Sequence, residues 1–449
     1  MFRSILLIKI TLPENVKFII DKLEAAGFEA YAVGGCVRDS ILGRTPNDWD
    51  ITTSAKPLET KALFKKTFDT GIKHGTISVL LGKEIFEVTT YRIDGEYEDS
   101  RHPKEVTFTA DLKEDLLRRD FTINAMAYNP TAGLVDLYGG EEDLKNHIIR
   151  CVGNPHDRFS EDALRIMRAV RFAAQLNYDI EDNTRAAIKE LAGTLSNISA
   201  ERIQTELVKL LTSDHPEFMK IAWELGITKV ILPEFDRAMD SEQNNPNHAY
   251  SVGEHTLKVM QNLPADKVMR LAGLFHDLGK VDTKTTDEKG VDHFYGHPEE
   301  SAKIAAAVFN RLKFDNDTKT KVCRLVETHD WFIGAKPERI RRYVNRIGEE
   351  YFPMIFEFNK ADIMGQSDYH LDDKISFLEE MKEAYMKVKE AGDCMNIKDL
   401  AITGSDVIKA GVPAGPEVGR ILKALLEEVL DDPSKNNKEF LLLRIDSLK

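Results

Sequence analysis

At 449 residues, with 42% hydrophobic and 30% charged side chains, the chain is about three domains long and too apolar to be disordered, so two to four packed modules are expected. Its net charge of −14 excludes indiscriminate nucleic-acid binding, which rests on Lys and Arg neutralising phosphates, so any RNA partner must meet a local basic surface. Cys36, Cys151, Cys323 and Cys394 are scattered without a CxxC pair, against a disulfide framework or a zinc knuckle. The apolar run 5–10 is broken by Lys9 and nothing later nears ~20 apolar residues, so a cytoplasmic protein without membrane association is expected.

Apolar residues at helical spacing over 15–27 predict a helix, and residues 29–33 a short strand that ends in Gly34-Gly35. Further strands are expected at 76–81, 85–90 and 106–108, the last after a polar loop at 94–104, which makes the first region a small mixed sheet with helices. Beyond Glu161 the pattern turns to long helical periodicity at 163–176, 184–191, 200–211 and 216–225. The polar stretch 240–247 reads as a linker, and 431–437 breaks the last helices.

Asp48 and Asp50 lie two residues apart in Asp48-Trp49-Asp50-Ile51, a spacing that points both carboxylates to one face of an extended strand. Such a pair can hold divalent ions for in-line phosphoryl displacement, although surface loops produce the same spacing often. Upstream, Gly34-Gly35-Cys36-Val37-Arg38-Asp39 offers glycines that a triphosphate can approach and an Arg suited to its oxygens, or else a plain tight turn. Downstream, residues 161–171 space Asp162, Arg165, Arg168 and Arg171 along adjoining turns of one helix, where ordinary salt bridging is the bland reading. An acceptor beside a donor, as in Asp162 with Arg165, matches the Watson–Crick edges of cytosine and adenine and mismatches uracil and guanine.

The motifs GGCVRD, NDWDITTSA, RRDFTINAMAYNP, DLYGGEEDL and EDALRIMRAVRF, in this order, resemble those of the bacterial class of tRNA nucleotidyltransferases, the CCA-adding enzymes, and ITGSDVI and GVPAGPEVGRIL in the tail are similar too. The resemblance implies an α+β protein: a small mixed-sheet, polymerase-β-like head over 1–150 and a helical neck over 151–240. A helical HD domain over 241–370 and a helical tail over 371–449 would follow. It implies that Asp48 and Asp50 bind catalytic Mg2+, and that Gly35, Arg38, Arg119, Asp162, Arg165, Arg168 and Arg171 contact the incoming nucleotide. The implied partners are CTP, ATP and the acceptor end of tRNA, lying along the helical body, with no obligate protein partner. Glu87 offers a third carboxylate or an edge-strand salt bridge, and is not counted among the site residues. The loop 94–104 resembles the family's flexible loop and favours addition of the full CCA.

In the helical region, His276-Asp277 closes an apolar run and is followed by Leu278-Gly279-Lys280. Imidazole and carboxylate suit Mn2+, Fe2+, Ni2+ or Mg2+, and the pattern resembles the HD phosphohydrolase superfamily. That resemblance implies His255, His276, Asp277 and Asp362 as metal ligands, with His297 and His329 available to a second ion; a degenerate structural module is the alternative. The rival functions at this level are a poly(A) polymerase, a relative that adds only CC or only A, a nucleotidyltransferase–HD signalling enzyme, and a non-catalytic RNA-binding module.

Overall fold

The computed structural model describes residues 8–95, 106–246, 249–330 and 334–449, and nearly all of the loop 94–104 lies outside them. Two compact units divide at Pro233 and Glu234.

The first unit opens with helix α1 (Glu14–Ala25), whose buried Val16, Ile19, Ile20 and Leu23 form one stripe at helical spacing. Strand β1 (Ala30–Val33) runs into α2 (Gly35–Ile41), and β2 (Ile51–Thr53) leads to α3 (Pro57–Leu63). After β3 (Thr67–Gly71), the strands β4 (Thr76–Leu81) and β5 (Glu84–Thr90) form a hairpin, followed by the short pair β6 (Arg92–Asp94) and β7 (Val106–Phe108). Helix α4 (Leu112–Leu117) precedes β8 (Met126–Asn129) and β9 (Gly133–Asp136). The main sheet has seven strands in the order β3-β4-β5-β2-β1-β8-β9. It is mixed because β2 runs parallel to β5, Ile51 opposite Val88, while its other neighbours are antiparallel.

Helix α5 (Gly140–Asn146) then leads to α6 (Pro155–Glu161), capped by Asn154, and α7 (Leu164–Leu176), which ends at Asn177 in the left-handed region. Helices α8 (Asp182–Leu191) and α9 (Ala200–Leu211) follow, and α7 and α9 pack together. Short helices α10 (Met219–Glu224) and α11 (Thr228–Ile231) complete the unit.

The second unit is helical. It comprises α12 (Pro233–Met239), α13 (Val252–Asn262), α14 (Lys267–Phe275), α15 (Lys280–Thr283), α16 (His297–Arg311), α17 (Asn316–Thr328), α18 (Pro337–Ile347), α19 (Phe352–Gly365) and α20 (Leu371–Glu390). Phe275, Phe309, Phe352 and Phe358 are fully buried at its centre. A separate apolar cluster that includes Val407, Ile421, Leu425 and Leu441 joins α21 (Gly404–Lys409), α22 (Pro416–Asp431) and α23 (Lys438–Ile445). The stretch 240–246 is tied into this unit: Asn244 N donates to Asp292 Oδ2 at 2.8 Å and Asn244 Nδ2 to Gly290 O at 2.6 Å.

Candidate functional sites in the head and the helical unit

In the first unit a cavity of about 630 Å³ is lined by Gly35, Arg38, Asp48, Asp50 and Arg171, five residues expected from the sequence. Its geometry starts at Gly34, whose φ of +84° is open to glycine and whose missing Cβ would lie 3.1 Å from Arg119 Nη1. That turn delivers buried Arg38, which donates to Asn124 Oδ1 at 2.6 Å and to Asp39 Oδ1 at 2.8 Å.

Asp48 and Asp50 are exposed and precede the paired strand, which begins at Ile51. The extended-strand placement expected for them is therefore corrected: only the Asp50 carbonyl is bound to β1, through Val33 N at 3.0 Å. The Asp50 carboxyl is held above its ordinary value, chiefly by partial desolvation and secondarily by Asp48, against the opposing pull of Arg119. Glu87, one strand over on β5, is raised by desolvation and then by Asp50 and Asp48, so it shares their field. The signal for it was the parallel β2–β5 register, which sequence periodicity does not carry. Oxygen-only donors of this kind fit a hard divalent ion, and among the described residues neither Asp carboxylate makes an ion pair or a hydrogen bond.

The remaining expected residues do not line the cavity. Arg168 donates twice to Asp120 Oδ2, at 2.8 and 2.5 Å. Desolvation, the largest influence on buried Asp120, would raise its pKa, but Arg168, Arg165 and Asn124 outweigh it and bring it to about 2. Asp120 Oδ1 also accepts from Asn124 Nδ2 at 3.2 Å, so one carboxylate links Arg168 through Asn124 to Arg38. Sequence reasoning missed Asp120 and Asn124, although both stand in RRDFTIN. It also missed Phe172, whose ring lies 4.0, 5.1 and 5.2 Å from the guanidinium carbons of Arg171, Arg38 and Arg168. Arg171 pairs with buried Glu206 at 2.6 Å, and desolvation brings its pKa down to about 10. Arg119 reaches Asp115 at 3.5 Å.

The expectation that Asp162 shares one helix with the arginines is corrected as well. The helix breaks there: Asp162 has φ −142° and ψ 102°, between α6 and α7. Its Oδ1 accepts from Leu164 N at 3.1 Å, offering the start of α7 a local bond that a continuous helix could not. Between Asp162 and Arg165 the bond is made by the backbone, Arg165 N donating to Asp162 O at 3.0 Å. Arg202 grips Asp162 at 2.6 and 3.2 Å, while Arg165 binds Glu161 and the carbonyls of Arg158 and Arg118, the latter two at 2.9 Å.

In the second unit the six predicted ligands converge. His255 comes from α13, His276 and Asp277 from the end of α14, His297 from the start of α16, His329 from the end of α17 and Asp362 from α19. Gly279 makes the approach of α16 feasible, since a Cβ there would lie 2.5 Å from both His297 O and Ser301 N. Each Nδ1 faces a backbone carbonyl and therefore donates: His255 to Gly365 at 3.1 Å, His276 to Gly273 at 2.8 Å, His297 to Phe294 at 2.9 Å and His329 to Val326 at 2.7 Å. That fixes the tautomer and turns every Nε2 lone pair inward.

The Nε2 atoms of His255 and His276 are 3.2 Å apart, and those of His297 and His329 3.3 Å, contacts between lone pairs that repel unless a proton or a metal ion is shared between them. Asp277 spans the two pairs. Its Oδ2 lies 3.3 Å from both His255 and His276, and its Oδ1 3.3 Å from His297 and 3.7 Å from His329. Asp362 Oδ1 is 2.9 Å from His255. Two triads thus have metal-binding geometry, His255-His276-Asp277 and Asp277-His297-His329, all buried. Burial alone would lower the His276 pKa, but Asp277 and then Asp362 overcome it and push it to about 10. Desolvation would raise both carboxyls, but the histidines, joined at Asp277 by Lys280, hold Asp277 and Asp362 well below the carboxylate range. Asp277 Oδ2 makes no well-directed hydrogen bond although Lys280 Nζ lies 2.8 Å away, and a metal ligand is what such a buried atom fits. A cavity of about 300 Å³ opens onto the cluster.

Comparison with known proteins agrees with the head geometry. Residues 30–150 match the family described as "Poly A polymerase head domain", 177–239 "Probable RNA and SrmB- binding site of polymerase A" and 298–445 "tRNA nucleotidyltransferase domain 2 putative". The CCA-adding enzyme of Limosilactobacillus reuteri is 34% identical over 443 residues, 97% of this chain and 96% of that one, and its counterpart from Pediococcus pentosaceus is 33% identical over 437 residues, 97% and 98%. The Bacillus stearothermophilus CCA-adding enzyme, solved with CTP, superposes with a TM-score of 0.70 at 29% identity over 96% of each chain. At 22% identity, the Thermotoga maritima CCA-adding enzyme complexed with tRNA shares the fold, with a TM-score of 0.61 over 99% of this chain and 98% of that one. The sheet, the cavity and these relatives define a nucleotidyltransferase with a mixed-sheet head and helical body. Within that class the chain belongs to the CCA-adding enzymes, a family that depends on divalent metal.

Proposed function

We propose that the protein adds or repairs the 3'-terminal CCA of tRNA in the cytoplasm, using CTP and ATP and releasing pyrophosphate. The observation that carries this reading is the single cavity in which Asp48 and Asp50 face Gly35, Arg38 and Arg171. The RNA 3'-hydroxyl attacks the α-phosphate and pyrophosphate leaves. Asp48 and Asp50 would hold Mg2+, which when bound supplies the charge that eases both bond making and bond breaking. Arg38, fixed by Asn124, and Arg171, fixed by Glu206, hold triphosphate oxygens without having to be ordered at the moment of reaction. Asp162 and Arg165 read the base edge, with Gly35, Arg119 and Arg168 completing the nucleotide site.

The test is incubation of purified protein and Mg2+ with tRNA lacking its last three nucleotides. CTP alone should yield CC, and CTP with ATP should yield CCA. A long A tail from ATP would make the protein a poly(A) polymerase, and no incorporation would refute the reading.

A second reading concerns the helical unit, favoured by its four inward Nε2 atoms around Asp277. We infer that His255, His276, Asp277 and Asp362, with His297 and His329, hold two divalent transition ions. When bound, these would acidify water and polarise a phosphoester, so the unit would hydrolyse a terminal or cyclic phosphate on damaged RNA before repair. Lys280, against Asp277 inside the cavity, is placed to take a phosphoryl oxygen.

A further inference from the structure

The cavity over the histidine cluster has an aromatic rim. Tyr295 is 79% exposed and lines the same cavity as Asp277, His297, His329 and Lys280. One exposed aromatic residue is ordinary on a protein surface. This one lies with its ring 5.5 Å from that of His293 and within 6° of parallel, so one face of Tyr295 is backed and its position is set.

The backing is rigid. His293 ends the strand Asp292–His293, which pairs with Thr285–Thr286, and its Nε2 is 3.2 Å from Asp287 Oδ2. Asp292 locks the hairpin by accepting from Asn244 N at 2.8 Å and Thr286 Oγ1 at 2.7 Å and by pairing with Lys284 at 2.9 Å. A flat, preordered aromatic face costs a ligand little side-chain entropy when it stacks.

The two ends of the cavity therefore ask for different chemistry in one ligand. The floor, with the imidazoles of His297 and His329, the carboxylates of Asp277, Asp330 and Asp362 and the Lys280 ammonium, suits a phosphoryl group once divalent ions offset the carboxylate charge. The rim suits a planar π-system, and base–aromatic stacking tolerates every base. About 300 Å³ is the lower end of small-ligand pockets, enough for one nucleotide.

We propose that Tyr295, backed by His293, is the base platform of the histidine-cluster site, and that the site takes a nucleoside phosphate, free or as the last residue of an RNA. This rests on the phosphohydrolase reading of the cluster. Tyr295 touches the base and not the phosphoryl group, which makes it a positioning and specificity residue.

Equilibrium dialysis of the Mn2+-loaded full-length protein against adenosine 3'-monophosphate, and separately against inorganic phosphate, tests the proposal. Only binding that is lost in Asp277→Asn and kept in Asp50→Ala is counted, which removes any contribution of the head. Tyr295→Ala should weaken the nucleotide by ~10-fold or more while leaving inorganic phosphate unchanged, and Tyr295→Phe should stay within about twofold of wild type. Equal nucleotide affinity in wild type and Tyr295→Ala would overturn the platform and leave the phosphohydrolase reading standing. Wild-type protein that carries Mn2+ yet binds neither ligand would overturn both.

Discussion

In the head, Asp48 and Asp50 stand exposed at the mouth of a cavity, and among the described residues they form no three-carboxylate cluster within 4.8 Å. In the helical unit, two buried triads meet that distance and share Asp277. The difference fits the roles proposed for the two sites. A nucleoside triphosphate brings its own negative charge and oxygen ligands, so the head can leave its metal site open until substrate completes it. The helical unit supplies the ligands itself and prepays their orientation through four Nδ1–H···O=C bonds. The head spends its order on cations: Asp120, Glu206 and Asp115 hold Arg168, Arg171 and Arg119 before any phosphate arrives.

The largest effect that would break this contrast lies at Asp277. Because it bridges both triads, Asp277→Asn should empty both metal positions, measured by elemental analysis, whereas His329→Gln should empty one. Equal loss in the two variants would contradict a bridging role. CCA addition should persist in both.

Asp120 gives the next effect, on stability. Its folded pKa of about 2 lies below its ordinary 3.8, so the stabilisation is fully present above pH ~4 and is lost as pH falls through about 2. It amounts to roughly 2 kcal/mol for a shift of that size. Urea unfolding of wild type and Asp120→Asn across this range should show a gap at pH 7 that closes in acid; a gap independent of pH would deny Asp120 this role.

A smaller effect sharpens the account of base selection. Arg202 and Leu164 N orient the Asp162 carboxylate, and among the described residues Oδ2 accepts only from Arg202, leaving room for an exocyclic amine. Arg202→Ala should erode the preference for CTP over UTP by about tenfold, roughly one well-placed hydrogen bond, in single-nucleotide incorporation. Improved CTP use would mean instead that Arg202 competes with the base.

The sequence carried the parts of this picture that depend on local order. Strand-turn-helix at Gly34-Gly35 and a small mixed sheet followed by helices were legible in motifs and periodicity, though β2, β3, β8 and β9 of the seven-stranded sheet were not, and the six residues that converge in the helical unit were reached through the HD resemblance. What was not legible depended on partners distant in the chain. The break at Asp162 hides inside an unbroken helical pattern, because Arg202 favours it from outside that pattern. Glu87 was offered as a third carboxylate, but the strand register that joins it to Asp50 was not visible, and Asp120 acts through Asn124 on Arg38, a link that no spacing reveals. Asp362 could be chosen by spacing, but its reason, 2.9 Å from His255, is tertiary.

The most direct test of two chemically separate sites is a cross of Asp50→Ala with Asp277→Asn, scored for both CCA incorporation and bound transition metal. Asp50→Ala should lose incorporation by at least ~10²-fold and keep its metal, while Asp277→Asn should lose its metal and keep incorporation. Incorporation that survives Asp50→Ala, or that falls with the metal in Asp277→Asn, would contradict the account.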